Sequence, residues 1–487
     1  MFTVKRQSEA SGRSGMKRSL LTWMFLSIVS LFLLGACSGA TTLIPEPTVS
    51  PRPTRTPRPT RTATPTIEVT VEPTNTPLSE GITSLDLEGV DVQFWHPWTQ
   101  SKEFSVLTLV NQFNASNEFG IVVTAFSQGS QLYTNVRVEL GTENAPSLVA
   151  GYNNQLQSWD NLGGTIVDLD EFINDPQWGL DTNAQTDFYP IFWEQDTNTD
   201  KRLGLPVYRS TVVLFYNQSW AQELGFGSPP RSLDELREQA CAAAAANNDS
   251  TGGLIATTDV STNMSWLFAF GGDLLHPNGR EYQAATPENQ AALTFLADLL
   301  NDGCAWKPGA YYPNQEFASR KGLFYPSSVA GIPYQLKAFE EENNFDQWTV
   351  LPFPSVTGEP VINPYGAAYA IFESTPEEQL ATWLFLRWML LPQNQAQFIE
   401  ASGYLPVSAS ALDYLGDYAV ENPLWAQTLE LIPYGKIEPS LGSWGIARWA
   451  FGDSIEELFG SEFSDDQIPA LLERLEESLN EIHANNP

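Results

Sequence analysis

The chain has 487 residues, of which 58 are Asp or Glu and only 25 are Lys or Arg. Its 42% hydrophobic content suits a globular protein with a large core, and its length suits two or three domain-sized units. So acidic a chain repels nucleic acid at long range, which argues against nucleic-acid binding. Its three cysteines exclude a disulfide-dense scaffold and a multi-cysteine metal site.

Residues 1–36 are predicted to be a signal peptide. Lys17 and Arg18 precede an apolar run over 20–34, which has the length of a signal-peptide core and is short for a membrane span. The segment LGAC at 34–37 then resembles the signal of bacterial lipoproteins, which implies cleavage before Cys37 and lipidation of that residue. An uncleaved anchor helix with an unrelated cysteine is the alternative. Both interpretations place the rest of the chain outside the cytoplasm.

Residues 37–88 are predicted to form a tether. Pro and Thr dominate 45–77, where proline removes backbone donors and fixes φ, and where few apolar residues are available to build a core. At about 3.1 Å per residue in polyproline II geometry, such a segment reaches on the order of 100 Å. We expect it to hold the folded body away from the membrane.

From residue 89 the pattern becomes that of alternating strands and helices. Apolar residues alternate over 90–95, recur with helical spacing over 104–113 and form a β-branched run over 121–126. A further helix is predicted over 131–140. This order predicts an α/β fold with a parallel or mixed sheet flanked by helices.

Three further local patterns mark elements of the body. The apolar run over 206–216 predicts one long strand through the centre of the molecule. Ser232 and Glu235 have the spacing of a capping box at the start of a helix. Pro392 is placed to begin another helix, and Gly403 to end it.

Several segments resemble family 1 of the extracellular solute-binding proteins of ABC importers, the maltose- and glycerol-phosphate-binding type. They are FWHPW at 94–98, LPVYRST at 205–211, LFYN at 214–217, PPRSLDEL at 229–236, ATWLFLRW at 381–388, PQNQ at 392–395 and GYLPV at 403–407. The resemblance extends over 89–487. It implies a two-lobed periplasmic-binding-protein fold of type II, in which the lobes are interleaved and joined by a hinge.

The resemblance also implies an assignment of the chain to the lobes. The first lobe is expected to hold 89–207 and 366–415, and the second lobe 208–365 and 416–487. A ligand would bind between the lobes and favour the closed form by contacting both. The resemblance further implies a monomer without catalytic residues or cofactor, which delivers its ligand to ABC permease subunits.

A sugar or polyol site needs aromatic rings that stack on C–H groups and polar side chains that bind hydroxyls. Aromatic residues beside Gly or polar residues in loops are therefore candidates, although core packing is the commoner role of any single one. The candidate ligand-binding residues are His96, Trp98, Gln128, Tyr208, Arg209, Trp266, Gly271, Gly272, Tyr325, Tyr365, Gly366, Tyr404, Trp444 and Arg448.

The charge of the body favours a neutral saccharide over a glycerol phosphate. A phosphate site needs several convergent Arg or Lys side chains, whereas residues 89–487 hold 16 basic residues against 51 acidic ones. Arg209 and Arg448 are the cationic candidates, and salt bridges to the acidic surface are their alternative role.

Catalytic and metal chemistry is less well supported. A secreted glycoside hydrolase is the alternative from another class, because acidic and aromatic residues are abundant and the spacing of paired carboxylates cannot be read from a sequence. The segment 196–200 resembles the start of a calcium loop, but Lys201 and Val207 stand where a Gly and an acid are needed. A polar turn is the better interpretation, and no metal site is predicted.

Cys241 and Cys304 lie in the predicted second lobe, outside the reducing cytosol. The two residues form either a disulfide or two separate buried thiols. Sequence spacing does not distinguish these alternatives, because it does not reveal the geometry that a bridge needs.

Overall fold

The computed structural model describes residues 84–163, 165–198, 201–248 and 250–486. The signal peptide, Cys37 and the tether up to residue 83 lie outside the described residues. The last residues of the predicted tether form a 3-10 turn, Ser84–Leu87, and the Leu87 side chain is fully buried in the core. The folded body therefore includes residues that the sequence assigned to the tether.

The strands and helices alternate along the chain, as the sequence predicted. The strands are β1 (Asp91–His96), β2 (Val122–Ser127), β3 (Leu148–Gly151), β4 (Leu205–Pro206), β5 (Ser210–Asn217), β6 (Gly252–Ile255), β7 (Ala305–Trp306), β8 (Gly322–Ser328), β9 (Trp348–Leu351), β10 (Asn363–Tyr365) and β11 (Ala368–Ile371). The helices are α1 (Gln100–Ser116), α2 (Leu132–Glu139), α3 (Asn153–Asn161), α4 (Leu169–Ile173), α5 (Thr182–Thr186), α6 (Pro190–Trp193), α7 (Gln218–Glu223), α8 (Leu233–Asn247), α9 (Val260–Ala269), α10 (Pro287–Asn301), α11 (Asn314–Ala318), α12 (Ile332–Glu341), α13 (Pro376–Met389), α14 (Pro392–Ser402), α15 (Gly416–Glu421), α16 (Pro423–Leu429), α17 (Trp444–Leu458) and α18 (Ile468–Asn485).

The first sheet has the strand order β2-β1-β3-β11-β4. β1 runs parallel to β2 and β3, whereas β11 runs antiparallel to β3 and β4. Both faces are covered, since Leu148 and Ala150 of β3 join the core that includes residues of α1 and α13, while Val149 joins a core with residues of α2 and α3. We call this sheet and the helices on it the first lobe.

The second sheet has the strand order β10-β5-β8-β6-β7, with β9 also pairing with β5. All eight residues of β5 are buried, which explains its uninterrupted apolar run. Val213 and Phe215 join the core that continues into the first lobe, whereas Val212 and Leu214 join a second core with residues of α8, α9, α10, α17 and α18. We call this sheet and its helices the second lobe.

The chain passes between the two sheets along two short crossings. The run over 206–216 is not one strand, because β4 pairs with β11 in the first sheet and β5 pairs with β8, β9 and β10 in the second. Residues 207–209 form the first crossing, from β4 to β5, and Gly366 and Ala367 form the second, from β10 to β11. Since the strands change sheets within two or three residues, the crossings are the natural hinge.

The helix ends predicted at Ser232, Pro392 and Gly403 are present in the structure, with one difference in the hydrogen bonds at Ser232. The Ser232 hydroxyl accepts a hydrogen bond from the Glu235 amide at 3.2 Å, but the Glu235 carboxylate returns to the Arg231 amide and not to that of Ser232. Pro392 begins α14, and Gly403 follows its end with φ 72°, a conformation that glycine adopts readily.

Cys241 of α8 and Cys304, which precedes β7, form a disulfide. It fastens a helix of the second lobe to an outer strand of the second sheet.

Helix α16 contacts both lobes. The Trp425 indole donates a hydrogen bond to the Tyr404 carbonyl in the first lobe, and the Thr349 hydroxyl of β9 donates to Gln427. Among the described residues, no helix is long and apolar enough to span a membrane.

Candidate functional site

Two adjoining cavities lie between the two sheets, beside the crossings. The first, the tyrosine compartment, has a volume of about 560 Å³, and the second, the polar compartment, about 350 Å³. They share Tyr152 from the first lobe and Asp259, Tyr311, Tyr312 and Tyr365 from the second, so they are parts of one cleft. The tyrosine compartment is also lined by Lys102, Thr257, Tyr325, Ser328, Tyr334 and Tyr404. The polar compartment is also lined by Asn153, Asn154, Gln195, Ser261, Gly366, Glu438, Trp444 and Arg448.

The second lobe supplies most of the aromatic surface. Tyr325 of β8 and Tyr365 of β10 lie on the two sides of β5, because both strands pair with it. Tyr311 and Tyr312 follow one another in the loop between β7 and α11, with ring planes 89° apart and centroids 4.7 Å apart. Their side chains are 68% and 72% exposed, so both rings are free to contact a solute.

The phenol groups of Tyr325, Tyr365 and Tyr404 are neutral at physiological pH. Burial raises the pKa of Tyr325 and of Tyr404 to about 12, and it raises the pKa of Tyr365 further. A neutral phenol donates one hydrogen bond and also accepts, as a sugar hydroxyl does. The tyrosine compartment therefore offers ring faces together with uncharged donors and acceptors.

Lys102 of α1 is the cation of the tyrosine compartment. Its Nζ donates to the Tyr404 hydroxyl at 2.9 Å and lies 4.2 Å from the centroid of the same ring. Burial lowers the pKa of Lys102. The ammonium group is therefore already engaged by a tyrosine of its own lobe.

Glu438 is held in place at the polar compartment by three side-chain donors. The Trp444 indole donates to it at 2.8 Å, the Asn363 amide at 3.1 Å and the Ser261 hydroxyl at 2.5 Å. The Arg448 guanidinium lies 3.9 Å away and also donates to Ser261 at 3.3 Å. A carboxylate fixed in this way is a preorganised acceptor for ligand hydroxyls.

Asp259 lies where the two compartments meet. It caps the N-terminus of α9 by accepting the Thr262 amide at 2.8 Å. Partial desolvation of the phenol and the Asp259 carboxylate, which accepts a hydrogen bond from Tyr311, raise the pKa of the Tyr311 phenol. Asp259 thus orients one of the two exposed rings.

The Thr257 hydroxyl also lines the tyrosine compartment. It is buried and has no hydrogen-bond partner among the described residues. Since a buried polar atom is normally satisfied, a hydroxyl-bearing solute in the cavity would supply the bond.

Six of the fourteen sequence-predicted ligand-binding residues line the cleft. They are Tyr325, Tyr365, Gly366, Tyr404, Trp444 and Arg448. They come from both lobes and from segments far apart in the chain.

Tyr208 and Arg209 lie one layer behind the cleft. The Tyr208 ring stacks on Tyr404 with centroids 4.3 Å apart and is itself 3% exposed. Arg209 is fully buried and forms an ion pair with Asp196. Neither side chain lines either compartment, because each is covered by the residues it supports.

His96, Trp98 and Gln128 do not line the cleft either. His96 ends β1 inside the first lobe, where its ring stacks on Trp98 at 5.4 Å and burial lowers its pKa to about 4. Gln128 accepts a hydrogen bond from Asn135 at 2.7 Å in the loop after β2. Since the first strand and its loop are covered by neighbouring elements, their aromatic residues pack as core.

Trp266, Gly271 and Gly272 do not reach the cleft either. Trp266 packs edge to face on Phe353 at 4.8 Å and is 2% exposed. Gly271 and Gly272 follow the C-terminal end of α9, and a Cβ at Gly272 would lie 2.1 Å from Asn289 Oδ1. Asp259, at the opposite end of the helix, faces the cleft.

Sequence reasoning missed several lining residues. Tyr152, Gln195, Asp259, Tyr311, Tyr312 and Glu438 line the cleft and were not predicted to. Consecutive tyrosines after the loop glycine Gly309 were the available signal for the exposed pair. Glu438 carried no signal of its own, since it is one acidic residue among many.

A larger cavity, of about 810 Å³, lies within the first lobe. Phe119, Arg387 and Trp388 are among its lining residues. A ligand there would contact one lobe alone and could not favour closure, so the interlobe cleft is the better candidate. Among the described residues, no group of three or more His, Cys, Asp or Glu side chains is placed to hold a metal ion.

The two interleaved sheets, the short crossings and the cleft between them define a two-lobed binding protein. Residues 108–427 match the family described as bacterial extracellular solute-binding protein. The chain belongs to this family, whose members serve ABC importers.

Three solved structures resemble the chain along most of its length. The cyclic α-maltosyl-1,6-maltose binding protein of Arthrobacter globiformis is 22% identical, with a TM-score of 0.68, and the match covers 81% of this chain and 99% of that one. The sugar-binding protein MalE of Xanthomonas citri is 20% identical, with a TM-score of 0.69 and coverage of 81% and 98%. UgpB of Mycobacterium tuberculosis, solved with glycerophosphocholine, is 18% identical, with a TM-score of 0.66 and coverage of 81% and 98%. At these identities the likeness shows the shared two-lobed fold.

Proposed function

We propose that the chain captures a neutral carbohydrate or a related polyol between its lobes and delivers it to an ABC importer. The observation that carries this proposal is the cleft lined by neutral tyrosines and by fixed hydrogen-bonding groups of both lobes. Sugar rings present C–H patches that stack on aromatic faces, and their hydroxyls bind groups such as Glu438, Asp259 and Thr257.

The charges of the cleft support a neutral ligand. Asp259 and Glu438 oppose Lys102 and Arg448, so the lining is balanced and not cationic. The carboxylate of Glu438 already faces Arg448, and Lys102 already binds Tyr404. A phosphate would meet two carboxylates and no convergent pair of free cations.

A glycerol phosphate or its diester is the second candidate. Lys102 and Arg448 favour it, as does the structural likeness to UgpB, which was solved with glycerophosphocholine. Such a ligand would need its phosphate to displace the Lys102–Tyr404 or the Arg448–Ser261 contact.

The first test is a thermal-shift screen against neutral mono-, di- and oligosaccharides, glycerol, glycerol 3-phosphate and glycerophosphocholine. We expect the melting temperature to rise with concentration for one neutral class. Glycerol 3-phosphate should act no more strongly than glycerol. A response confined to phosphate esters would replace the carbohydrate by the second candidate.

The same samples test the hydrolase alternative. Family members bind solutes, so we expect each sugar to be recovered unchanged by mass spectrometry after prolonged incubation. Appearance of shorter products, lost on replacement of Asp259 and Glu438 by Asn and Gln, would make the chain a glycoside hydrolase.

Anchoring is a further part of the proposal. Cleavage before Cys37 and lipidation of its thiol would attach residues 37–83 to the membrane, with the folded body as a monomer at the end of this tether. Mass spectrometry of the membrane-extracted protein should show a diacylglyceryl adduct, and a Cys37→Ala variant should be released into the soluble fraction. Membrane retention of that variant would favour the uncleaved anchor helix.

A further inference from the structure

Arg209 lies on the first crossing and is fully buried, together with its partner Asp196. Its Nε donates to Gln195 Oε1 at 2.8 Å, and one guanidinium nitrogen pairs with the Asp196 carboxylate. Both partners belong to the segment between α6 and β4 in the first lobe. One side of the guanidinium is therefore fixed to the first lobe.

The other side of the guanidinium holds the second crossing. Its Nη1 donates to the Ala367 carbonyl at 3.0 Å and to the Gly366 carbonyl at 3.3 Å. The backbone of Arg209 also exchanges two hydrogen bonds with Leu405, at 3.0 and 2.7 Å. A single side chain thus connects both crossings to the first lobe.

The same contacts reach the floor of the polar compartment. Gln195 and Gly366 line that compartment, and the Gln195 amide also donates to the Pro364 carbonyl at 3.4 Å. Arg209 therefore contacts Gln195 and Gly366 on their buried side, whereas a solute would contact them on the side that faces the cavity. The Arg209–Asp196 ion pair is excluded from solvent, so few other side-chain arrangements are open to it.

We propose that Arg209 is the positioning residue that couples ligand contact at the cleft floor to the hinge, without itself touching the ligand. Rotation of the lobes changes the backbone dihedrals of residues 207–209 and 366–367. The guanidinium of Arg209 is planar, so it can keep its hydrogen bonds to Gln195, Asp196 and the two carbonyls only in some of these rotations. A solute seated on Gln195 and Gly366 then stabilises the arrangement in which all these bonds are made. The part of this inference that concerns the ligand rests on the proposed function.

Arg209→Lys tests the coupling, because lysine keeps the charge and loses the planar fork. Arg202→Lys is the matched control, since Arg202 is also nearly buried, pairs with Asp170 at 2.8 Å and donates to a first-lobe carbonyl, that of Trp193. Both variants are made in the full chain. Melting temperatures are measured for each, so that simple destabilisation is visible.

The first measurement is amide hydrogen exchange without any ligand. We expect Arg209→Lys to speed exchange at least several-fold in peptides that cover 207–210 and 364–368, while Arg202→Lys leaves them unchanged. This arm does not depend on the identity of the ligand. Wild-type exchange at both crossings of Arg209→Lys would overturn the proposal.

The second measurement is the affinity for maltotriose, with glycerophosphocholine as the alternative probe. We expect Arg209→Lys to weaken binding on the order of tenfold, within the usual range of coupling energies, and Arg202→Lys to have no effect. Equal losses in the two variants would reduce Arg209 to a structural residue. If neither probe binds the wild type, the result bears only on which solute the cleft takes, and the exchange measurement then decides the role of Arg209.

Discussion

The two lobes contribute different chemistry to the cleft. The second lobe brings the carboxylates of Asp259 and Glu438, Arg448 and the exposed pair Tyr311 and Tyr312. The first lobe brings Tyr152, Tyr404, Lys102 and amide side chains. The carboxylate acceptors therefore lie in the second lobe, and we expect a solute to dock there before the first lobe encloses it.

The lobes also differ in how they are held together. The second lobe contains the Cys241–Cys304 disulfide, whereas the first buries an ionisable side chain, His96, in its core. We therefore expect reduction to destabilise the second lobe and acid to destabilise the first. Substitutions at these groups, and then at the cleft, test whether the lobes differ in this way.

The largest expected effect is that of removing the disulfide. Replacing Cys241 and Cys304 by Ala should lower the free energy of unfolding by about 4 kcal/mol, since the bridge closes a long loop of the unfolded chain. Urea titration of the two proteins at one pH measures the difference. Because one core continues from the first lobe into the second, we expect one transition. An unchanged midpoint would mean that the thiols are not joined in solution.

His96 should give the first lobe a dependence on acid. The unfolded chain takes up a proton as the pH falls through the ordinary value of 6.5, but the folded chain does so only near pH 4, because burial lowers the pKa of His96. Stability contributed by this group is complete above pH 6.5 and declines as the pH falls towards 4, by about 3 kcal/mol in all.

The His96→Phe variant tests the predicted decline of stability with falling pH. It keeps a ring against Trp98 and removes the titrating group, so its stability should fall less than that of the wild type between pH 7.5 and 4.5 in urea titrations. His276→Gln, at a half-exposed position, is the control. Identical pH profiles for wild type and His96→Phe would contradict the prediction.

Glu438→Ala should impair binding more than any single change in the first lobe. The substitution removes one acceptor for the ligand, and it also leaves the donors of Trp444, Asn363 and Ser261 without their acceptor. Affinity for the best solute of the screen should therefore fall on the order of a hundredfold. Isothermal titration calorimetry measures the loss. Glu430→Ala, at an exposed position outside the cleft, is the matched control, and equal affinities would show that Glu438 is structural.

The smallest effect should distinguish stacking in the two lobes. Tyr311→Ala should weaken binding about tenfold, as expected when one stacking ring is lost, and Tyr152→Ala about threefold. Tyr414→Ala, an exposed tyrosine away from the cleft, should change nothing. A larger loss for Tyr152 than for Tyr311 would reverse the order in which the lobes meet the solute.

The sequence predicted the fold more fully than the site. Alternating patterns, the cap at Ser232 and the stop at Gly403 depend on local chemistry, so they survive folding unchanged. Placement in the cleft depends on how distant segments meet. Trp266 and Trp444 are both helical tryptophans, yet Trp266 packs on Phe353 in the core while Trp444 lines the cleft.

Charged residues show the same limit. Arg209 and Arg448 were the two cationic candidates, and the crossing geometry buries the first against Asp196 while the second lines the cleft. Neither Asp196 nor Glu438 differs in sequence from the acids of the surface. Their roles arise from the arginines beside them, Arg209 on the first crossing for Asp196 and Arg448 of α17 for Glu438.

The position of β11 has a consequence for how the chain acquires its structure. β11 lies between β3 and β4, and Ile371 pairs with Leu148, more than 200 residues earlier in the chain. The first sheet cannot close until that late segment has been synthesised, and pairing over such a separation is slow. The chain therefore stays without its complete N-terminal lobe during most of its synthesis, a state compatible with threading through a translocation pore before folding.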